Sequence, residues 1–196
     1  LKYFSNNTSN TITLLQCAVE AGIPHFVFSS TASVYGVSSL DHALETSPLK
    51  PMNPYGQSKA MSEVIIQEAA RAHGFSYAIL RYFNVAGADP LARMGQSGAC
   101  ASHLIRVGVQ AALGLRPHIE VFGTDYDTQD GTCVRDYIHV EDLASAHLRA
   151  LDRLAVDKRS EIYNVGYGKG HSVLEILDAL DRVAPQKVKR VLGLRR

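Results

Sequence analysis

Over residues 6–21 apolar positions recur at helical spacing, with Ile12, Leu14, Leu15, Ala18 and Val19 set among polar residues. Gly22 supplies a C-terminal cap, and Pro24 stops the helix from continuing. The run His25-Phe26-Val27-Phe28-Ser29-Ser30 is almost continuously apolar and bounded by small polar residues, the pattern of a strand covered on both faces. A Ser- and Pro-containing loop follows to Asn53. A second helical pattern then runs from Tyr55 through Ala60, Met61, Val64, Ile65, Ile66, Ala69 and Ala70 to His73-Gly74, and a second buried strand is expected over 77–82. Strand, helix and strand at these lengths form a right-handed crossover, which makes the sheet parallel.

Past Asn84 the texture changes. Residues 87–98 contain Gly and Pro and read as loop, and 101–114 as a helix. Strands are expected over 119–122 and 133–140, with an Asp- and Thr-rich turn between them. Glu141-Asp142 open a helix through Leu154, acidic where the helix dipole favours it. A strand over 161–165, a helix over 172–183 capped by Ser172 and a last strand over 188–192 complete the pattern. The fold class is α/β, with a first part over 1–86 and a smaller mixed α/β part over 87–196 that interleaves with the end of the sheet.

Composition changes this picture little. Hydrophobic residues make up 46% of the 196 and charged residues 20%, ordinary for a globular chain. The net charge of +1 gives no reason to expect nucleic acid or a membrane surface as partner, and no apolar run reaches spanning length. Cys17, Cys100 and Cys133 are scattered without metal-ligand spacing, so they are expected to be reduced thiols of a cytoplasmic protein, and no metal is assigned. Leu1 lies inside a helix approach without an initiator Met, and Arg195-Arg196 follow no finishing element, so the chain is expected to be part of a longer one.

The chemistry gathers at one rim. Ligands on parallel sheets lie beyond the carboxyl ends of the strands. Ser29-Ser30-Thr31 follow the first strand there, Tyr82-Phe83-Asn84 follow the second, and Tyr55 opens the intervening helix. Tyr55 and Lys59 are one helical turn apart and share a face. A free phenol has a pKa of ~10, and a nearby ammonium favours the phenolate, so the pair is expected to make a base. By itself the pair also fits an exposed surface helix; the convergence of three segments favours function.

Tyr55-x-x-x-Lys59, Ser29-Ser30-Thr31 after a buried strand, Arg81-Tyr82-Phe83-Asn84 and Val134-Arg135-Asp136-Tyr137-Ile138-His139-Val140 together resemble the extended short-chain dehydrogenase/reductases. Within them the residues are most similar to the UDP-glucose 4-epimerases, as the runs Phe122-Gly123-Thr124-Asp125-Tyr126 and Asp130-Gly131-Thr132 indicate. The resemblance covers essentially the whole chain. It implies the C-terminal part of a Rossmann-like doubly wound sheet over 1–86, binding NAD, and a UDP-sugar-binding part over 87–196. No glycine-rich pyrophosphate turn follows a strand in these residues, so 1–196 alone are expected to be inactive.

The resemblance further implies Tyr55 as base, Lys59 as its partner on the nicotinamide ribose, and Thr31 as the hydroxyl beside the reacting sugar oxygen, a position where many relatives have Ser. It implies Asn7 and Phe83 as cofactor contacts, although Asn10 stands where the family often has Gly. Asn84, Arg135 and Arg196 are implied on the substrate diphosphate, and His103, Leu104, Glu120, Val121 and Phe122 on the uridine side. The implied activity is reversible C4 epimerisation of UDP-glucose and UDP-galactose through a 4-keto sugar, in a homodimer. A dehydratase of the same family wants an acid pair after the hydroxyl residue; Ala32-Ser33 stand there instead. A non-catalytic nucleotide-binding chain is the alternative from another class.

Overall fold

The computed structural model describes residues 1–37, 42–98 and 103–195. In chain order the elements are α1 (Asn10–Glu20), β1 (His25–Ser29), α2 (Pro54–His73), β2 (Ser76–Tyr82), β3 (Asn84–Ala86), α3 (Leu104–Ala112), β4 (Ile119–Phe122), β5 (Val134–His139), α4 (Val140–Asp157), β6 (Glu161–Val165), β7 (Gly170–Ser172), α5 (Val173–Val183) and β8 (Arg190–Gly193). They form two units, one of residues 1–85 and 141–166, the other of residues 86–140 and 167–196.

The first unit is built on the parallel sheet β1-β2-β6. Because side chains alternate across a strand, Phe28 and Ile79 face one side, with Leu15 of α1 and Ile66 of α2. Ala78 and Leu80 face the other, with Ala150 and Leu154 of α4. The sheet is therefore covered on both faces, as the continuous apolar runs require. Among the described residues β1 pairs only with β2, so it is an edge strand, and Phe26 and Val27 stay half-buried rather than fully enclosed.

Two caps fix α2. The Asn53 side chain accepts from the Gly56 N–H at 2.8 Å, Pro54 takes the first helical position, and Gly74 closes the helix at φ 78°. The helix at the start of the chain departs from the expected single run over 6–21. A π-helical turn, Phe4–Ser9, precedes α1. There the Asn7 carbonyl accepts the Thr11 hydroxyl at 2.6 Å and the Ser62 hydroxyl of α2 at 3.5 Å, side-chain bonds that compete with the backbone ladder.

In the second unit α3, β4, α5 and Val188, just before β8, share one core of Ala111, Ala112, Ile119, Val121, Leu177 and Val188. β4 pairs with β8 in parallel, and β5 with β7 antiparallel. Ser172 caps α5 as expected, in a capping box with Glu175. The last strand lies two residues later than its pattern suggests, because Val188 turns inward to the core and its N–H is taken by Asp181 at 2.8 Å. β3, β7 and the 3-10 turn Ala32–Val34 are too short to leave a periodic signal. No helix of the described residues is long and apolar enough to cross a membrane.

Candidate active site

Beyond the carboxyl end of β1 the backbone is extended at Thr31 and then enters the short 3-10 turn. The Thr31 hydroxyl oxygen accepts from the Ser33 N–H at 3.2 Å, which leaves its own proton directed elsewhere. The Tyr55 phenol, on the first turn of α2, lies close enough to this hydroxyl to feel it. Thr31 is buried and Tyr55 half-buried. Burial pushes the Tyr55 phenol above its ordinary range, and the Thr31 hydroxyl opposes that shift. The ring of Tyr3 meets Tyr55 edge-on, centroids 5.8 Å apart.

Lys59 lies one turn along, as expected. Its Nζ donates to the Ser29 carbonyl at 3.0 Å and lies over the Phe28 ring at 4.8 Å. Burial lowers its pKa. Tyr55 and Lys59 thus share one face of α2, and Lys59 ties that face to the end of β1. The Ser29 hydroxyl meets Nε2 of His147 at 2.8 Å, and Nδ1 of that ring meets the Leu143 carbonyl at 2.8 Å. A carbonyl only accepts, so Nδ1 carries the proton and Nε2 accepts from Ser29. His147 therefore has a structural part here.

Close approach sets the rest of the α2 N-terminus. A Cβ on Gly56 would stand 2.5 Å from the Ser33 carbonyl oxygen, so only glycine lets the helix and the Thr31 loop meet. Asn7 donates to the Ser58 hydroxyl at 2.9 Å, and that hydroxyl donates to the Tyr55 carbonyl at 2.8 Å. The expected cofactor residue Asn7 thus uses its amide N–H on α2, leaving its side-chain carbonyl as the group for another partner. Phe83, half-buried, and Asn84, exposed, follow β2 at the same carboxyl rim as Thr31.

The expected uridine-side residues and the expected diphosphate residue Arg135 lie in the second unit. His103 precedes α3 and its Nδ1 meets Gln96 at 2.9 Å; Leu104 opens α3 and packs on the core. Val121 is fully buried in that same core, so only its backbone is available to a ligand. Glu120 is exposed and Phe122 half-buried. Arg135 is exposed on β5 and donates to the Val134 carbonyl at 2.7 Å. Asp136 accepts from the N–H groups of Tyr167 at 3.2 Å and Gly168 at 2.8 Å instead of facing Arg135. Arg196 and Cys100 lie outside the described residues.

Sequence reasoning missed the most buried polar group of the first unit. Glu63 and Arg81 form an ion pair at 2.6 Å, with side chains 0% and 4% exposed. Its signal was an acidic residue one turn after Lys59 on the inner face of α2, and one arginine in an otherwise apolar strand.

A family model, the NAD dependent epimerase/dehydratase family, matches residues 1–166. The chain belongs to that family. Among curated relatives it is similar to a UDP-glucose 4-epimerase of Azospirillum brasilense, 52% identical over the whole chain and 56% of the relative. Among solved structures it is similar to UDP-glucose 4-epimerase from Brucella ovis in complex with NAD, with TM-score 0.96 and 38% identity over the whole chain and 60% of that protein. It is likewise similar to UDP-glucose-4-epimerase from Stenotrophomonas maltophila with bound NAD and formylated UDP-arabinopyranose, with TM-score 0.95 and 42% identity over the whole chain and 59% of that protein. The chain spans less than two thirds of the length of these family members. The family is NAD-dependent. Among the described residues no cluster of His, Cys, Asp and Glu has the form of a metal site.

Proposed function

We propose that the full-length protein interconverts UDP-glucose and UDP-galactose at C4, through a 4-keto sugar. The observation that carries this reading is the meeting, at one rim, of the buried Thr31 hydroxyl after β1 with Tyr55 and Lys59 on the first turns of α2. NAD fits that rim by the chemistry of its donors. Lys59 offers a half-buried ammonium and Asn7 a side-chain carbonyl to ribose hydroxyls, and Phe83 an aromatic face. When bound, NAD supplies the oxidant that takes the C4 hydrogen with its electrons and returns it.

The residues of the chain manage the proton. Tyr55, as phenolate, takes it from the sugar 4-hydroxyl and becomes the neutral phenol, and Thr31 favours the phenolate that Tyr55 must be before that transfer. Lys59 adds positive charge to the rim once a ligand replaces the water around it. Asn84, Arg135 and Arg196 are proposed for the diphosphate, and His103, Leu104, Glu120, Val121 and Phe122 for the uridine side, Val121 through its backbone. Binding energy from the remote nucleotide leaves the reacting ring free to present either face. The residues after Thr31, Ala32-Ser33, lack the acid pair that loss of water would need, which favours epimerisation over the dehydratase alternative.

Conversion of UDP-glucose to UDP-galactose by the full-length protein, followed by chromatography of the nucleotide sugars, tests this. A product lacking a water would replace the reading with the dehydratase one. Arg135→Ala is expected to weaken UDP binding by about 1.5–3 kcal/mol, the value of hydrogen bonds to a charged group. Calorimetric titration with UDP reads it, and unchanged affinity would leave Arg135 a surface residue.

We also propose a cytoplasmic homodimer. Ile12 and Leu14 on α1 and Met61 and Val64 on α2 are exposed apolar residues, beside a groove of about 410 Å³ lined by Leu49, Pro51, Ala60, Met61 and Val64. Residues 1–196 by themselves are proposed to be inactive: they hold no glycine-rich turn for a pyrophosphate, and β1 offers an unpaired edge. Nucleotide content and sedimentation of the full-length protein and of residues 1–196 test both; stoichiometric NAD on the latter, or a monomeric full-length protein, would contradict them.

A further inference from the structure

Six residues, 30 to 35, carry Thr31 from the strand end into the 3-10 turn. One buried ion pair holds both ends of this span. At the near end the Ser30 hydroxyl, fully buried, donates to Oε1 of Glu63. At the far end Nη1 of Arg81 donates to the Tyr35 hydroxyl at 2.9 Å, and that hydroxyl donates to Oδ1 of Asn164 at 2.7 Å. Glu63 and Arg81 are themselves joined twice over: Nε lies 3.1 Å from Oε1 and 3.2 Å from Oε2, and Nη2 lies 2.6 Å from Oε2. Both carboxylate oxygens are thereby satisfied. Asn164 stands opposite Arg81 in the β2–β6 register, so three elements, α2, β2 and β6, meet at this pair.

Glu63 is one turn beyond Lys59 and two beyond Tyr55 on α2. The pair thus connects the helix that carries the proposed base to both ends of the span that carries its hydroxyl partner. An apolar contact fills space without fixing orientation, whereas charge-assisted, bidentate bonds fix distance and angle. The Thr31 hydroxyl is the group of this span that acts on the Tyr55 phenol, its Oγ1 accepts from the Ser33 N–H inside the span, and the Ser33 carbonyl lies against the first turn of α2 at Gly56. The place of Thr31 is therefore set by where the span is held.

We propose that Ser30 and Tyr35 are positioning residues, tethered by the Glu63–Arg81 pair so that the Thr31 hydroxyl stays against Tyr55. The catalytic meaning rests on the reading of Tyr55 as base; the positioning itself does not. Isosteric variants cut one tether each and leave the ion pair intact: Ser30→Ala and Tyr35→Phe. The first readout is the ultraviolet titration of Tyr55 in the full-length protein, taken as the difference between each variant and the same variant with Tyr55→Phe. Thr31 favours the phenolate, so loosening it moves the titration to higher pH, by about half a unit or more. Adding either variant to Thr31→Val is expected to move it no further. In turnover below the Tyr55 pKa, kcat falls about threefold or more with KM within about twofold, because less of Tyr55 stands as the phenolate that takes the sugar proton. The acid limb of kcat/KM follows the titration to higher pH.

Leu177→Ala, in the core of the other unit, is the control for plain destabilisation: it should lower thermal stability and leave the Tyr55 titration in place. Ser30→Ala and Tyr35→Phe enzymes that lose stability with an unmoved titration, or shifts that add in full to that of Thr31→Val, would overturn the proposal. A Tyr55→Phe enzyme with wild-type turnover would instead overturn the catalytic reading, and the titration would still decide the positioning.

Discussion

Tyr55→Phe in the full-length protein is expected to keep UDP-sugar binding and to lose turnover by about 10²–10⁴-fold, roughly 3–5 kcal/mol of transition-state stabilisation. The phenyl ring keeps the edge-on contact with Tyr3 and the burial of the first turn of α2. What disappears is the oxygen that feels the Thr31 hydroxyl and takes the sugar proton. The effect should fall on kcat and kcat/KM together, since the lost interaction belongs to the transition state. Steady-state kinetics with UDP-glucose, beside equilibrium binding of UDP, measures it. Activity near wild type would remove Tyr55 from the role of base.

Arg81→Ala is expected to cost about 3–5 kcal/mol of folding stability, because it leaves the Glu63 carboxylate buried without its partner. The Tyr35 hydroxyl and the Glu45 carbonyl, which accept from Nη1 at 2.9 and 3.1 Å, lose a donor as well. Replacing both charges, as in Glu63→Leu with Arg81→Met, should be milder than Arg81→Ala alone, since no uncompensated charge remains. Urea unfolding of the three proteins compares them. A loss below about 1 kcal/mol for Arg81→Ala would mean that water reaches Glu63 and that the pair is not desolvated.

The apolar runs at β1 and β2, the amphipathic α2 between them and the Ser172 cap were readable because each obeys a local rule: period, capping residue or strand length. The rim was readable for the same reason, since a parallel sheet sends Thr31, Tyr55 and Asn84 to one end. Three features were not. The π-helical turn at Phe4–Ser9 arises from side-chain bonds to the Asn7 carbonyl, one of them from Ser62 on α2 at 3.5 Å, which no window around Asn7 contains. The direction of Lys59 depends on the Ser29 carbonyl, thirty residues away, and the burial that raises the Tyr55 phenol comes from packing that no local window contains. The Glu63–Arg81 pair joins residues whose individual patterns look like a solvated helix position and an isolated charge; only the packing of α2 on β2 makes them partners.

The most direct test follows the hydrogen at C4. UDP-glucose deuterated at C4 should yield UDP-galactose with the deuterium still at C4, because Tyr55 and Thr31 manage only the hydroxyl proton and the carbon-bound hydrogen leaves and returns within one site. Mass and NMR spectra of the product read its position. Deuterium found at C6, or lost to solvent, would contradict C4 epimerisation at this site.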